Sequence, residues 1–140
     1  MSVRWTSVIG VATLVALSGC GGDDGEPESS EPRVIEVSMT DNAFRPNSFQ
    51  VDLGEVVVFR FTNDGTVDHE AVIGDEMFQM GHMDHQHQPG ETMPGSVVIA
   101  PGGQADIPYV FSVPGASLIG CHVDDHWNAG MKATIEVVPG

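Results

Sequence analysis

Residues 55–61 of the chain read EVVVFRF, a run of β-branched and aromatic side chains that is typical of a β-strand. The run lies between two turn signals, residues 53–54 (LG) before it and residues 63–65 (NDG) after it. Arg60 interrupts the apolar side chains at a position that we expect to face solvent. The segment therefore predicts a strand that packs one face against a core.

Outward from this segment, further short apolar runs are separated by turns that contain glycine and proline, such as residues 101–103 (PGG) and 114–115 (PG). None of the runs has a convincing helical period, and the chain shows no internal repeat. The pattern predicts an all-β protein, an antiparallel Greek-key β-sandwich that forms a single domain over residues 34–140. The other predicted strands are Val34–Met39, Phe49–Asp52, Val67–Ile73, Ser96–Ala100, Ala105–Phe111, Ser117–Cys121 and Lys132–Val138.

Residues 1–20 have the features of an export signal. Arg4 precedes an apolar run, residues 8–17, that is too short to span a bilayer as a mature helix. The run ends in LSGC, which resembles a bacterial lipobox, and this implies that Cys20 is lipidated after cleavage. The alternative is an ordinary signal peptide with a chance cysteine. We expect an exported protein, lipid-anchored on the periplasmic or extracellular face of a bacterial membrane.

The segment that follows the signal is predicted to be a tether. Residues 21–33, GGDDGEPESSEPR, contain no apolar side chain and predict disorder, with a root-mean-square span of about 20 Å. The whole chain has 20 acidic side chains against 5 lysines and arginines, a formal net charge of −15. So acidic a protein is not expected to bind nucleic acid, and it favours basic protein partners.

Residues 120–131, GCHVDDHWNAGM, contain the side chains that point to chemistry. If Cys20 carries lipid, Cys121 is left without a partner for an internal disulfide. Cys121, His126 and Met131 have Cys-x4-His-x4-Met spacing, so one loop can present all three to one ion. A trigonal site of two histidines and a cysteine with a weak axial methionine is the geometry of blue-copper electron-transfer centres. The motif therefore predicts a copper site that needs one more histidine.

His69 is the candidate for that histidine. It is the only histidine outside residues 74–95 and the motif, and it lies near the start of a predicted strand. The alternative is a surface histidine, because Asp68 and Glu70 flank it. His122 is disfavoured as a ligand, since neighbouring side chains on a strand point to opposite faces. Zinc also takes one cysteine with two histidines, but a thioether indicates copper.

A histidine at a strand start, followed about fifty residues later by Cys-x4-His-x4-Met before the last strand, resembles the cupredoxin family. The likeness is greatest to its auracyanin- and rusticyanin-like members, and it covers Val34–Val138. It implies a β-sandwich with one type 1 copper ion that carries single electrons between redox partner proteins. The copper ligands that the resemblance implies are His69, Cys121, His126 and Met131.

The motif loop differs from that family's pattern at two places. Many relatives have Pro-Gly where this chain has residues 124–125 (DD), and an aromatic residue where it has Ile119. Two carboxylates near copper would stabilise Cu(II) and lower the reduction potential. In the family the later histidine lies at the surface, so we interpret His126 with Trp127 as the docking surface for a redox partner.

Residues 74–95 break the strand pattern and are rich in methionine and histidine. His82, His85 and His87 with the nearby methionines could bind a second metal ion, or they could form an adaptable surface. The alternative function is therefore copper handling by this loop, meaning capture, delivery or tolerance. We do not predict an enzyme, because one ligand set on one domain lacks the further copper sites of multicopper oxidases. We expect a monomer.

Overall fold

The computed structural model describes residues 31–83, 90 and 92–140, which form ten strands and one short helix. The predicted signal peptide with Cys20, most of the predicted tether, and the histidines His85 and His87 lie outside the described residues. The elements are β1 (Arg33–Thr40), β2 (Ala43–Arg45), β3 (Ser48–Asp52), β4 (Val56–Asn63), β5 (His69–Gly74), α1 (Glu76–His82), β6 (Thr92–Met93), β7 (Ser96–Ile99), β8 (Gln104–Val110), β9 (Gly115–Gly120) and β10 (Lys132–Val138).

The strands form two sheets that share one hydrophobic core. The first sheet has the order β2-β1-β4-β8, and the second has the order β3-β10-β9-β5-β7-β6. Alternate residues of β4 point into the core, as the EVVVFRF pattern predicts. Phe59 of β4 contacts Phe49 of the second sheet and the rings of Phe61 and Phe111, with ring centroids 5.8 to 6.3 Å apart. These aromatic contacts join the two sheets.

The predicted β-sandwich is confirmed, but its sheets are mixed and not wholly antiparallel. β1 pairs with β4 in parallel, and β10 pairs with β3 in parallel. The other pairings are antiparallel. The physical reason is that the chain passes from the first sheet to the second between β2 and β3 and returns at β4. β4 therefore runs in the same direction as β1. Turn residues in the sequence do not show that the chain changes sheets between two strands.

The loop predicted over residues 74–95 begins with the helix α1. Asp75 is the N-cap, and its Oδ1 accepts a hydrogen bond from the backbone N–H of Phe78 at 2.8 Å. This cap is a sequence signal for the helix, but seven residues are too few to show a clear helical period. Among the described residues, no helix is both long enough and apolar enough to cross a bilayer.

Two strand boundaries differ from the prediction. Arg33, predicted as the last residue of the tether, is the first residue of β1, and its guanidinium contacts Glu55 at 2.6 and 2.8 Å. This ion pair fixes the start of β1 beside β4, which a reading of apolar runs alone cannot anticipate. β5 begins at His69 and not at Val67, and all six of its residues are buried between β9 and β7.

Candidate metal centre

His69 is the first residue of β5, and its side chain is fully buried. The turn before it is fixed by the buried side chain of Asn63. Nδ2 of Asn63 donates to the carbonyl oxygens of Val67 at 2.8 Å and Ile99 at 2.7 Å, and its Oδ1 accepts from the N–H of Gly65 at 2.9 Å. Because all these atoms are satisfied inside the fold, the imidazole enters the core from a rigid turn.

Cys121 follows directly after β9, and the loop from it to Met131 closes on itself. The N–H of Met131 donates to the carbonyl of His126 at 2.9 Å, and the N–H of Cys121 donates to the carbonyl of Met131 at 3.2 Å. A further turn bond joins the N–H of His126 to the carbonyl of Val123 at 3.1 Å. These backbone hydrogen bonds thus join the two ends of the loop, between the end of β9 and the start of β10.

The structure brings three of the four predicted side chains to one point. Sγ of Cys121 lies 3.4 Å from Nδ1 of His126 and 3.9 Å from Nδ1 of His69. One donor atom from each of the three residues lies within 4.8 Å of the other two. The two imidazole rings have centroids 5.0 Å apart and planes inclined at 44°. Met131 is fully buried, and its backbone bonds place it in the same loop.

The electrostatics at this point depend on burial. Burial raises the pKa of the Cys121 thiol to about 11, although the backbone N–H of Glu70, 3.3 Å from Sγ, acts in the opposite direction. Burial and the neighbouring His126 lower the pKa of His69. Burial therefore favours the neutral form of the His69 imidazole. The backbone N–H that donates to Sγ favours the thiolate, which is the form of Cys121 that binds a cation.

This donor set fits copper in chemistry and in number. Two imidazole nitrogens and one sulfur can surround one ion in a trigonal arrangement, and a buried thioether is available from the same loop. Zinc would more often take a further thiolate, imidazole, carboxylate or water as its fourth ligand. The residues present therefore fit a type 1 copper ion. We propose that His69, Cys121, His126 and Met131 are its ligands.

The other predicted features of the loop lie outside this group. Asp124 and Asp125 are exposed to water, so solvent screens their charge and weakens their predicted effect on the reduction potential. Trp127 is half-buried, stacks on the ring of His122 with centroids 4.7 Å apart, and has Nζ of Lys132 3.8 Å from its ring centroid. His122 contacts α1 and is not among the three convergent donors.

Asp41 and Asn63 are residues of this site that the sequence interpretation missed. Asp41 belongs to the turn between β1 and β2, and its Oδ1 lies 3.4 Å from Nε2 of His69. A distance of 28 positions along the chain separates Asp41 from His69, so no local motif links them. The parallel pairing of β1 with β4 brings that turn beside the His69 turn.

The comparison with protein families agrees with this fold and donor set. Residues 33–138 match the family described as copper binding proteins, plastocyanin/azurin family. The match spans more than half of the chain, and the chain belongs to this family of copper-binding proteins. The predicted cupredoxin resemblance and the predicted copper cofactor are thereby confirmed.

Proteins similar to this chain include two curated relatives and one solved structure. The copper-resistant cuproprotein CopI of Pseudomonas aeruginosa is 30% identical over 139 residues, which covers 76% of this chain and 77% of that protein. The protein of the same name from Rubrivivax gelatinosus is 31% identical over 115 residues, which covers 75% of this chain and 66% of that protein. The crystal structure of dithionite-reduced auracyanin from the photosynthetic bacterium Roseiflexus castenholzii superposes with a TM-score of 0.65 at 22% identity, over 76% of this chain and 97% of auracyanin.

Proposed function

We propose that the protein carries single electrons through one type 1 copper ion held by His69, Cys121, His126 and Met131. The observation that carries the proposal is the convergence of two imidazole nitrogens and one sulfur within 4.8 Å of one another in a β-sandwich. Copper supplies a Cu(II)/Cu(I) couple in such a ligand set. We propose a carrier and not an enzyme, because the family that residues 33–138 match is described by copper binding.

The rigidity of the ligand-bearing segments supports this function. An electron carrier needs one geometry that serves both oxidation states of copper, because every ligand movement slows the transfer. Asn63 fixes the turn before His69 with three hydrogen bonds. Backbone bonds of His126 and Met131 close the other segment. The protein's part is therefore to hold four donors still.

The route for electrons is proposed to pass through the side of the domain that carries His126. This imidazole is half-exposed, and Ala129 and Gly130 beside it are exposed. Small uncharged residues next to a ligand allow a redox partner to approach closely, and the exposed Asp125 directly before His126 adds a negative charge at the edge of this surface. The formal charge of −15 would steer a basic partner toward the domain, more weakly at high salt.

The cellular setting remains a proposal from the sequence. The signal-like residues 1–20 support export, and lipidation at Cys20 would hold the domain at a bacterial membrane by a short tether. The test is mass spectrometry of the mature N-terminus. A diacylglyceryl group on Cys20 supports anchoring, whereas cleavage elsewhere without lipid contradicts it.

Copper tolerance is the second candidate function, and one observation favours it. The two curated relatives described above are both named copper-resistant cuproproteins. Electron carriage and tolerance can use the same copper site, for example if binding of copper there lowers the concentration of free copper. The histidines of residues 74–95 extend this candidate to a second ion, although His85 and His87 lie outside the described residues.

The decisive experiment is reconstitution of the purified domain with cupric sulfate. We expect one tightly bound ion with the intense visible absorption of a thiolate–Cu(II) bond, bleached reversibly by ascorbate. Cys121→Ser should abolish the absorption, and Asp106→Asn on the other sheet is the matched control. A colourless wild-type protein would contradict the proposal. If Cys121→Ser cells nevertheless tolerate copper like the wild type, tolerance does not use this centre.

A further inference from the structure

The second sheet carries another group of carboxylate and imidazole side chains on its outer face. Glu70 directly follows His69, and His122 directly follows Cys121. Neighbouring side chains in extended chain point to opposite faces, so these two lie on the side away from the candidate copper centre. The helix α1 covers that side and contributes Gln79 and His82.

Glu70 and His82 form a buried contact beneath α1. Their side chains are 2% and 4% exposed, and Oε1 of Glu70 lies 2.9 Å from Nε2 of His82. The hydroxyl of Ser96 donates to the same carboxylate oxygen at 3.1 Å. Buried carboxylates are costly unless they are paired or bind a metal. The 2.9 Å spacing is that of an ordinary hydrogen bond, and two donors about 2.0 to 2.1 Å from one ion at right angles would have roughly the same separation.

The tautomer of His122 is fixed by Gln79. Nε2 of Gln79 donates to the carbonyl oxygens of Val72 at 2.8 Å and Leu118 at 3.3 Å, so its Oε1 is the atom that faces His122. Nε2 of His122 lies 2.7 Å from that oxygen and must donate its proton to it. Nδ1 of His122 therefore carries a lone pair.

This nitrogen is placed like that of a metal ligand. It is buried, and within the described residues it has no hydrogen-bond partner. A histidine that binds a metal through one ring nitrogen usually donates the other N–H to a fixed oxygen. Gln79 supplies such an oxygen to His122.

The two rings are also spaced as they are in the first centre. The centroids of His82 and His122 are 5.4 Å apart with planes inclined at 49°, against 5.0 Å and 44° for His69 and His126. Imidazoles bound to one ion through bonds of about 2.0 to 2.1 Å have centroids roughly 4.5 to 6.3 Å apart. Among the described residues only His69, Cys121 and His126 already present three convergent donor atoms, so the rings of His82 and His122 would have to rotate to close this second site.

We propose that Glu70, His82 and His122 form a second metal site that takes Cu(II), back to back with the first. Imidazole and carboxylate donors without a thiolate suit the divalent ion better than Cu(I). The two sites would be joined by the backbone between His69 and Glu70 and between Cys121 and His122. This inference goes beyond the proposed electron carriage and does not depend on it, because the two sites share no side chain.

Copper titration of the purified full chain with cupric sulfate, followed by electron paramagnetic resonance and metal analysis, tests the site. We expect two bound ions, of which only one shows thiolate absorption. His82→Gln should weaken binding of the second ion at least tenfold and leave the thiolate absorption unchanged. His122→Gln provides a second variant in case His82→Gln disturbs α1. Cys121→Ser should keep the second ion and lose the colour, which separates failure of this proposal from failure of the first.

The matched control is the double variant His85→Gln/His87→Gln, in the adjoining part of the chain. We expect it to keep the second ion. Retention of two ions by both His82→Gln and His122→Gln would overturn the proposal. It would also be overturned if only the His85/His87 control lost the second ion, or if the site bound zinc sulfate and rejected copper. In each case the Glu70–His82 contact would be a structural hydrogen bond only.

Discussion

Oδ1 of Asp41 lies 3.4 Å from Nε2 of His69, the nitrogen on the side of the ring away from Cys121. The carboxylate is held in place by Thr66, whose N–H and hydroxyl each donate to it at 2.9 Å. The hydrogen bond from the N–H of Thr66 is the largest cause of the lowered pKa of Asp41. At 3.4 Å the contact with His69 acts chiefly through charge, and it places a negative group behind a proposed copper ligand.

Asp41→Asn is therefore expected to raise the reduction potential and weaken Cu(II) binding. The lost carboxylate no longer favours the more positive ion, and changes of such outer partners typically cost 10- to 100-fold in metal affinity. Cyclic voltammetry and competitive copper titration measure the two effects. Asp106→Asn, paired with Arg60 on the first sheet, is the control. An unchanged potential in Asp41→Asn would show that solvent screens the carboxylate.

Met131→Leu and Met131→Gln should move the reduction potential in opposite directions. Leucine removes the thioether and leaves only hydrocarbon, which favours Cu(I) and raises the potential, while the harder amide oxygen of glutamine favours Cu(II) and lowers it. Leucine is close to methionine in volume, so we expect it to cost less than about 1.5 kcal/mol in apo-protein stability. Equal potentials in both variants would mean that residue 131 does not approach the ion.

Asn63→Ala should destabilise the domain by about 2–4 kcal/mol, because buried partners lose their hydrogen bonds. Those partners are the carbonyl oxygens of Val67 and Ile99 and the N–H of Gly65. Urea unfolding of the copper-free domain measures the loss. Asn128→Ala, whose hydrogen bond to Asp125 is exposed, should change stability by less than about 0.5 kcal/mol. Similar losses of unfolding free energy in the two variants would contradict the proposal that the buried hydrogen bonds of Asn63 stabilise the domain.

The Arg33–Glu55 pair predicts part of the acid sensitivity. The hydrogen bond from Arg33 is the largest cause of a pKa of Glu55 below its ordinary value of 4.5. The carboxylate therefore stabilises the fold above pH 4.5, and this contribution is lost as the pH falls through the lower, folded-state pKa. Wild type should lose stability more steeply than Glu55→Gln in that window, by urea unfolding at a series of pH values. Parallel curves would contradict the assignment.

Trp127→Ala tests the proposed docking surface. We expect slower electron transfer to a basic protein acceptor such as cytochrome c, while the visible absorption stays, because the indole lies beside His126 but is not a ligand. The indole also packs against His122 and Lys132. Because phenylalanine keeps an aromatic ring at this position, Trp127→Phe should retain more of the electron-transfer rate than Trp127→Ala. If the alanine variant transfers electrons like wild type, the docking surface lies elsewhere.

The sequence predicted the sandwich and the Cys121–His126 part of the donor group from local signals, whereas His69, 52 positions before Cys121, was reached by elimination and by the resemblance to the cupredoxin family. Lys132–Val138 alternates cleanly and is observed as β10 with the predicted bounds, and the Cys-x4-His spacing within one loop brings Cys121 near His126 wherever the loop lies. Asp41 and the parallel pairings depend on which distant strands become neighbours, and no local pattern encodes that. The seven residues of α1 were too short for periodicity, although Asp75 marked their start.

All six residues of β5 are buried, so both faces of this strand pack inside the protein. A slip by one residue against β7 and β9 would exchange His69 with Glu70, placing a carboxylate beside the thiol and an imidazole beneath the helix. Metal capture thus presupposes that the strand is already in its final alignment. An insertion or deletion within residues 64–68 should therefore be far more damaging to copper binding than one of equal length at residues 101–103, even if the domain still folds.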